Sequence, residues 1–291
     1  MPTPILILGA QPDALVLACD LQRRDIAAQI ASPALTPHNN APPATPETRR
    51  VLRDLGFPHT ALAHTPLPSL LRDALQHTPA WGQSLRAISQ DDTGVTVSFT
   101  SGARLRCRYL VASTAEARSL LHTEGLCFQL GRALLIGEAA RGHASVEDGI
   151  QDAYCLGWRL ALALTLPEPD AARLLADYAA ERPADLPERV PDAELAWGCL
   201  SDELQGTDHV AILFGDGDEV GDAAAALERL PGVHAVVVNT QVDPTGAAAA
   251  RFRARRPQIC LVRPDGRLAW RGYGQPVDRA TAFLRLNRPA R

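Results

Sequence analysis

Leu134 to Leu164 reads LLIGEAARGHASVEDGIQDAYCLGWRLALAL, and its reading decides the architecture. An apolar run of strand length stops at Gly137, small residues turn the chain, and a long apolar helix runs from about Glu147 to Leu164. Arg141, His143, Glu147 and Asp148 stand in the turn, where a cofactor-binding loop would be expected. Tyr154, Trp158 and Leu162 recur every four residues along the helix, the spacing of a buried stripe.

Working outward, Ile5 to Leu8 is a wholly apolar run ending at Gly9, a helical pattern follows from Ala14 to Arg24, and a second strand, IAAQIA, ends at Ser32. This is a βαβ unit of the length that opens a dinucleotide-binding domain. A Pro-rich loop leads to the helix ETRRVLRDLG, closed by Gly56. SLRAISQDD, GVTVSFTSG and ARLRCRYLVAS then alternate apolar and polar residues around Asp-Thr-Gly and Ser-Gly turns, the pattern of antiparallel strands. DAARLLADYAAER supplies an exit helix.

Three prolines between Pro183 and Pro191 mark a linker, set at 183–195, between a first domain at 1–182 and a second at 196–291. In the second, HVAILFG, DAAAALERL, HAVVVNT, AAAARFRAR, QICLVRP, GRLAWRG and VDRATAFLRL read as βαβ-αββα, with a Pro-Asp-Gly turn at 264–266 joining the last two strands. That order is thioredoxin-like. The segment after its first strand, FGDGDEVG, has no Cys pair, so dithiol chemistry is excluded.

Composition narrows the function classes. The 291 residues, 46% hydrophobic and 21% charged, suit a globular protein with one large or two ordinary cores. A net charge of -4 leaves no basic footprint for nucleic acid or an anionic membrane. All 29 basic residues are Arg, so no lysine can form a Schiff base. The six cysteines lie scattered, mostly in apolar runs, and suggest neither a metal site nor a disulfide framework. PILILGA has no basic leader and no segment is long enough to span a bilayer, so a cytoplasmic location is expected. His59, His64 and His77 show no ligand spacing.

Five ordered segments carry a resemblance: LILGAQPDALVLACDLQRRDI, DDTGVTVSFTSGARLRCRYLVAS, GRALLIGEAA with GIQDAYCLGWRLALAL, LLADYAAERPA, and ICLVRPDGRLAWRG. Together they resemble the FAD-dependent aromatic hydroxylases, the family of phenol hydroxylase and the aromatic-polyketide monooxygenases. The resemblance implies an α/β, Rossmann-like FAD-binding domain followed by a thioredoxin-like domain. It makes Gly9 the first glycine of the phosphate turn and places Gly137 and Glu138 at the flavin's ribityl chain. Asp152 falls at a position that caps or orients the long helix.

The departures fall on these ligand contacts. The family's G-x-G-x-x-G keeps Gly9 and a tolerable Ala14, but Gln11 stands where bare backbone should approach the pyrophosphate, and Asp13 adds negative charge. Ser32 stands where a carboxylate should hold the ribose. Thr114, Ala115 and Glu116 replace the mid-chain Asp-Gly signature. Gly137-Glu138-Ala139-Ala140-Arg141 replaces Gly-Asp-Ala-Ala-His, and the following Pro-Gly-rich loop is shortened. Only fifteen residues, Glu116 to Leu130, occupy the interval of the family's substrate domain. Its loss would uncover one face of the first sheet.

Three readings follow. One is a degenerate pseudoenzyme without cofactor or metal, with Gly9, Gly137 and Glu138 as vestigial cofactor contacts. It would bind an intermediate of aromatic, polyketide-like secondary metabolism, a second copy of itself, or a biosynthetic enzyme such as an intact oxygenase. Another is an active FAD-dependent aromatic monooxygenase. The third is a cofactor-free cyclase or dehydratase in the former flavin cleft, using His143, Glu138, Glu147 and Asp148 as acid–base groups.

Overall fold

The computed structural model describes residues 3–37, 39, 43–58, 60–61, 65–183, 187–274 and 277–287. The chain divides into two compact units, Met1–Asp185 and Leu186–Arg291.

In the first unit β1 (Thr3–Leu8) pairs in parallel with β2 (Ala28–Ala31) and with β5 (Arg104–Ala112), which pairs in parallel with β7 (Ala133–Leu135). The amino-terminal half of β5 also closes an antiparallel meander with β3 (Leu85–Asp91) and β4 (Gly94–Phe99). One long strand thus serves both layers, because its alternating residues bury on either side. A two-residue strand, β6 (Gln129–Leu130), pairs antiparallel with β7. This is the mixed α/β, Rossmann-like sheet that the sequence implies.

Helices α1 (Pro12–Arg23), α2 (Pro46–Asp54), α3 (Leu67–Asp73), α4 (Ala115–Leu120), α5 (Gly137–Arg141), α6 (Val146–Thr165) and α7 (Glu168–Glu181) complete the unit among the described residues. Helix α6 begins where the chain can satisfy its own first N–H groups: Ser145 and Asp148 form a reciprocal capping box. Tyr154 and Trp158 are buried as their spacing requires, whereas Leu162 is half-buried. The Tyr178 hydroxyl donates to the Leu135 carbonyl at 2.9 Å, pinning α7 to β7.

Two expectations, the uncovered sheet face and the linker, bear on this architecture. The first sheet has no bare face: Ile5, Leu6, Ile7 and Leu8 point alternately to opposite sides and all are buried, as are Leu110, Val111 and Ala112. The linker expected at 183–195 is also no free connector from residue 187 onward. Leu268 donates to the Glu188 carbonyl, Val190 donates to the Gly266 carbonyl, and Val190, Ala193 and Leu195 enter the second unit's core. The prolines mark an extended edge segment; its hydrogen bonds come from a hairpin over seventy residues away, which local composition does not reveal.

The second unit has a four-stranded sheet, β11 (Val233–Val238)–β10 (His209–Phe214)–β12 (Gln258–Val262)–β13 (Leu268–Tyr273), parallel between β10 and β11 and antiparallel elsewhere. A short hairpin of β8 (Glu194–Leu195) and β9 (Gly198–Cys199) precedes it. Helices α8 (Leu200–Glu203), α9 (Asp218–Glu228), α10 (Ala247–Arg251) and α11 (Val277–Asn287) flank the strands. Val210, Ile212 and Phe214 enter one core cluster, while Ala211 and Leu213 enter the other. In the segment after β10, Asp216 accepts from the Thr240 backbone and hydroxyl and pairs with Arg256. The six cysteines are free thiols.

Candidate functional site

The carboxyl ends of β1, β5 and β7 converge where Gly9, Ser113 and Gly137 leave the sheet. Gly9 has φ +121°, a conformation that only glycine adopts without strain. A Cβ there would collide with Ser113 Oγ and Gln11 Oε1. Gln11 folds back over the turn and its Oε1 accepts from Ser113 Oγ at 3.2 Å. Ser113 Oγ and the end of the exposed Gln11 side chain thus lie over the first glycine.

Helix α1 has also satisfied its own N-terminus. Pro12, the first helical residue, has no N–H. Asp13 Oδ1 accepts from the Ala14 N–H at 2.8 Å. That N–H is one of the donors that a helix offers to an external anion. Burial pushes the Asp13 carboxyl up to about 7, and the nearby negative charges of Asp152 and Glu138 add to that effect. Among the described residues no cation pairs with it.

The ribose end is closed by a segment distant in sequence. Ala80 donates to the Ile30 carbonyl, Ser32 donates to the Ala80 carbonyl, and Gln83 donates to the Ser32 carbonyl. Ser32 is 3% exposed, and its hydroxyl accepts from Ala34. A cavity of about 440 Å3 does lie beside this edge, lined by Leu6, Ile30, Phe99 and Leu105 and reached by exposed His77. It is apolar on the sheet side and offers no carboxylate.

The quoted turn forms α5 directly after β7. Gly137, at φ +53°, packs against the Asp13 carboxylate, as does Gly149 of α6. Asp152, fully buried, accepts from the Gly137 N–H at 2.9 Å and pairs with Arg141 and Arg182. Arg141, at the position of the family's histidine, is thus an internal counter-ion. Arg118 donates to the carbonyls of Ala139 and Gly125, both at 2.7 Å, fixing the turn from its other side.

Of the weak catalytic candidates, Glu138 and His143 are exposed and Glu147 is half-buried. No hydrogen bond joins any two of them among the described residues. Asp148 caps α6 by accepting from the Ser145 backbone N–H at 3.3 Å, and it also accepts from the Ser145 hydroxyl at 2.7 Å. His59 and His64 lie outside the described residues. Among the described residues no His, Cys, Asp and Glu cluster is placed to hold a metal ion, and no helix is long and apolar enough to cross a membrane.

Sequence reading missed three participants. Pro12 was legible, since a proline at the first helical position removes a phosphate donor. Ser113 and Arg182 were not, because nothing local shows that they meet Gln11 and Asp152.

No protein-family profile matches the sequence, and no curated protein matches it. Solved structures do. The chain is similar to the OxyS anhydrotetracycline hydroxylase from Streptomyces rimosus, at TM-score 0.80 and 18% identity over 100% of both chains. It is similar to the flavin-dependent monooxygenase PieE, solved with FAD and substrate, at TM-score 0.79 and 14% identity over 99% of this chain and 100% of that one. It is also similar to PyrE3, described as a Diels-Alderase in the biosynthetic pathway of pyrroindomycins, at TM-score 0.69 and 15% identity over 99% and 100%. The fold is therefore that of the flavin-monooxygenase group. At these identities the residues decide what this chain keeps of its chemistry.

Those residues do not fit FAD in the expected mode. Gln11 lies over Gly9 where bare backbone would meet the pyrophosphate, Asp13 takes the Ala14 N–H, and Ser32 at the ribose position is buried.

Proposed function

We propose that the protein is a flavin-independent relative of the aromatic monooxygenases, acting in aromatic, polyketide-like secondary metabolism by binding rather than by oxygen chemistry. The observation that carries this reading is the self-occupied N-terminus of α1, where Pro12 offers no N–H and Asp13 takes the one on Ala14. A phosphate arriving there would meet Asp13 instead of free donors; with its carboxyl raised to about 7, Asp13 is about half protonated at neutral pH, and its charged form adds repulsion above that pH.

Lack of a separate substrate domain is part of the same reading. Between β5 and β6 the chain builds one short helix, Ala115–Leu120, which supports the view that no roof closes over the cleft. The second unit's strand order and its pattern of parallel and antiparallel pairs support a thioredoxin-like scaffold, with Asp216 in the segment where a redox pair would lie. A homo-oligomer or a complex with an intact oxygenase remains the partner proposal. It rests on the lost flavin contacts alone, since the first sheet presents no bare face.

The test is a deletion strain complemented by wild type or by a His143→Ala, Glu138→Ala, Glu147→Ala variant. Equal restoration of the metabolite profile is expected. Failure of a folded, normally expressed variant would show that the turn does chemistry.

A further inference from the structure

The cavity of about 440 Å3 beside β2 has no Asp, Glu or Arg in its lining. Its volume is within the range of small-molecule sites. Two other pockets of the first unit differ. One of about 470 Å3 is lined in part by Asp91, Asp92, Arg132 and Glu168, and one of about 210 Å3 includes Asp25. In a chain that is 21% charged, a surface cavity would ordinarily include such groups, so the uncharged lining distinguishes this one.

The floor is set by the sheet. Leu6 of β1, Ile30 of β2 and Phe99 of β4 are buried, and Leu105 of β5 is half-buried beside them. The rim is polar without being charged. Gln29 and Thr78 are exposed, and neither side chain has a hydrogen-bond partner among the described residues. Gln83 donates through Nε2 to the Trp81 carbonyl at 3.2 Å, which leaves its Oε1 without a partner and not buried. His77, exposed, is the one ionisable side chain in the lining.

This lining decides the class of ligand. An ion that leaves water for an apolar cavity needs an opposite charge to offset its lost hydration. No carboxylate is present for a cation and no guanidinium for an anion. An apolar body needs only the release of water from both surfaces, and the free amides can meet a neutral polar group.

We propose that this cavity binds an uncharged, mainly apolar small molecule, its body against Leu6, Ile30, Phe99 and Leu105 and its polar group at Gln29 or Gln83. Gly9, Gln11, Asp13 and Gly137 do not line it, so the assignment goes beyond the role proposed above and stands whether or not FAD binds at that turn.

2-Naphthol is the probe, with 2-naphthoate and 2-naphthylmethylammonium as charged controls of similar size. Each is titrated at pH 8, where histidine is ordinarily neutral, into isotope-labelled protein, following the Ala28, Ala31 and Ala80 amide resonances. Saturable shifts are expected with 2-naphthol, and both ions are expected to bind about tenfold more weakly or worse. Ala80→Trp builds an indole into the lining from an exposed position and is expected to weaken 2-naphthol by at least about tenfold. Absence of saturable shifts, equal affinity for either ion, or undiminished binding by a folded Ala80→Trp protein would each overturn the assignment. If that variant does not fold, the comparison of neutral and charged probes on the wild type decides alone.

Discussion

Asp13 and Asp20 lie two turns apart on α1, both buried, and each carboxylate packs against a glycine of α6, Gly149 and Gly157 respectively. Asp20 is paired with Arg23 at 3.0 Å and Arg24 at 3.1 Å. Asp13 has no cation among the described residues, and burial raises its pKa to about 7. The same residue type against the same kind of surface thus does two different jobs. Asp20 ties off the carboxyl-terminal end of α1 through Arg23 and Arg24, whereas Asp13 takes the Ala14 N–H at its amino-terminal end.

The largest effect should come from Asp152, which anchors the turn beside Asp13. Asp152→Ala leaves Arg141 and Arg182 buried without their carboxylate and is expected to lose about 3–5 kcal/mol in denaturant unfolding. A loss under about 1 kcal/mol would mean that the three residues are not coupled.

Asp13→Asn should act in the opposite direction. A carboxyl whose pKa is about 7 in the folded chain, against 3.8 for an ordinary aspartate, binds its proton more tightly when folded. Wild-type stability should therefore fall as pH rises from about 4 to about 7 and then level off. The variant should remove that fall and exceed wild type at pH 8 by up to about 4 kcal/mol. Parallel stability–pH curves would refute the buried, unpaired carboxyl. Asp20→Asn should instead destabilise at pH 7, by about 2 kcal/mol, because it weakens pairs that exist. Opposite signs for the two substitutions are the sharpest form of the comparison.

The smallest effect concerns the second unit. Burial works to lower the His234 pKa, but hydrogen bonds to Glu203 at 2.8 Å and Glu228 at 3.4 Å outweigh it and raise the value above 6.5. The contribution of His234 should be complete below pH 6.5 and fade as pH rises through the raised value. An NMR titration of its ring protons, with an inflection above that of a free histidine, is the check.

Much of this was legible in the chain. Apolar runs ending at Gly9 and Gly137, the alternation from Leu85 to Ala112, and the helix from Val146 all appear where periodicity places them. Gln11 and Asp13 already announced a spoiled phosphate turn. What the sequence hid is non-local. Ala80 seals Ser32 from forty-eight positions away, Arg182 reaches Asp152 across thirty, and the 187–190 segment takes its hydrogen bonds from the Arg263–Leu268 turn.

The central claim is that this cleft holds its own side chains in place of a flavin. The direct measurement is the visible spectrum of the protein after incubation with excess FAD and desalting, compared with a Gln11→Gly, Asp13→Gly variant. The account predicts a colourless wild type, with any regained flavin absorbance confined to the variant. A stoichiometric flavin peak on the wild type would contradict it.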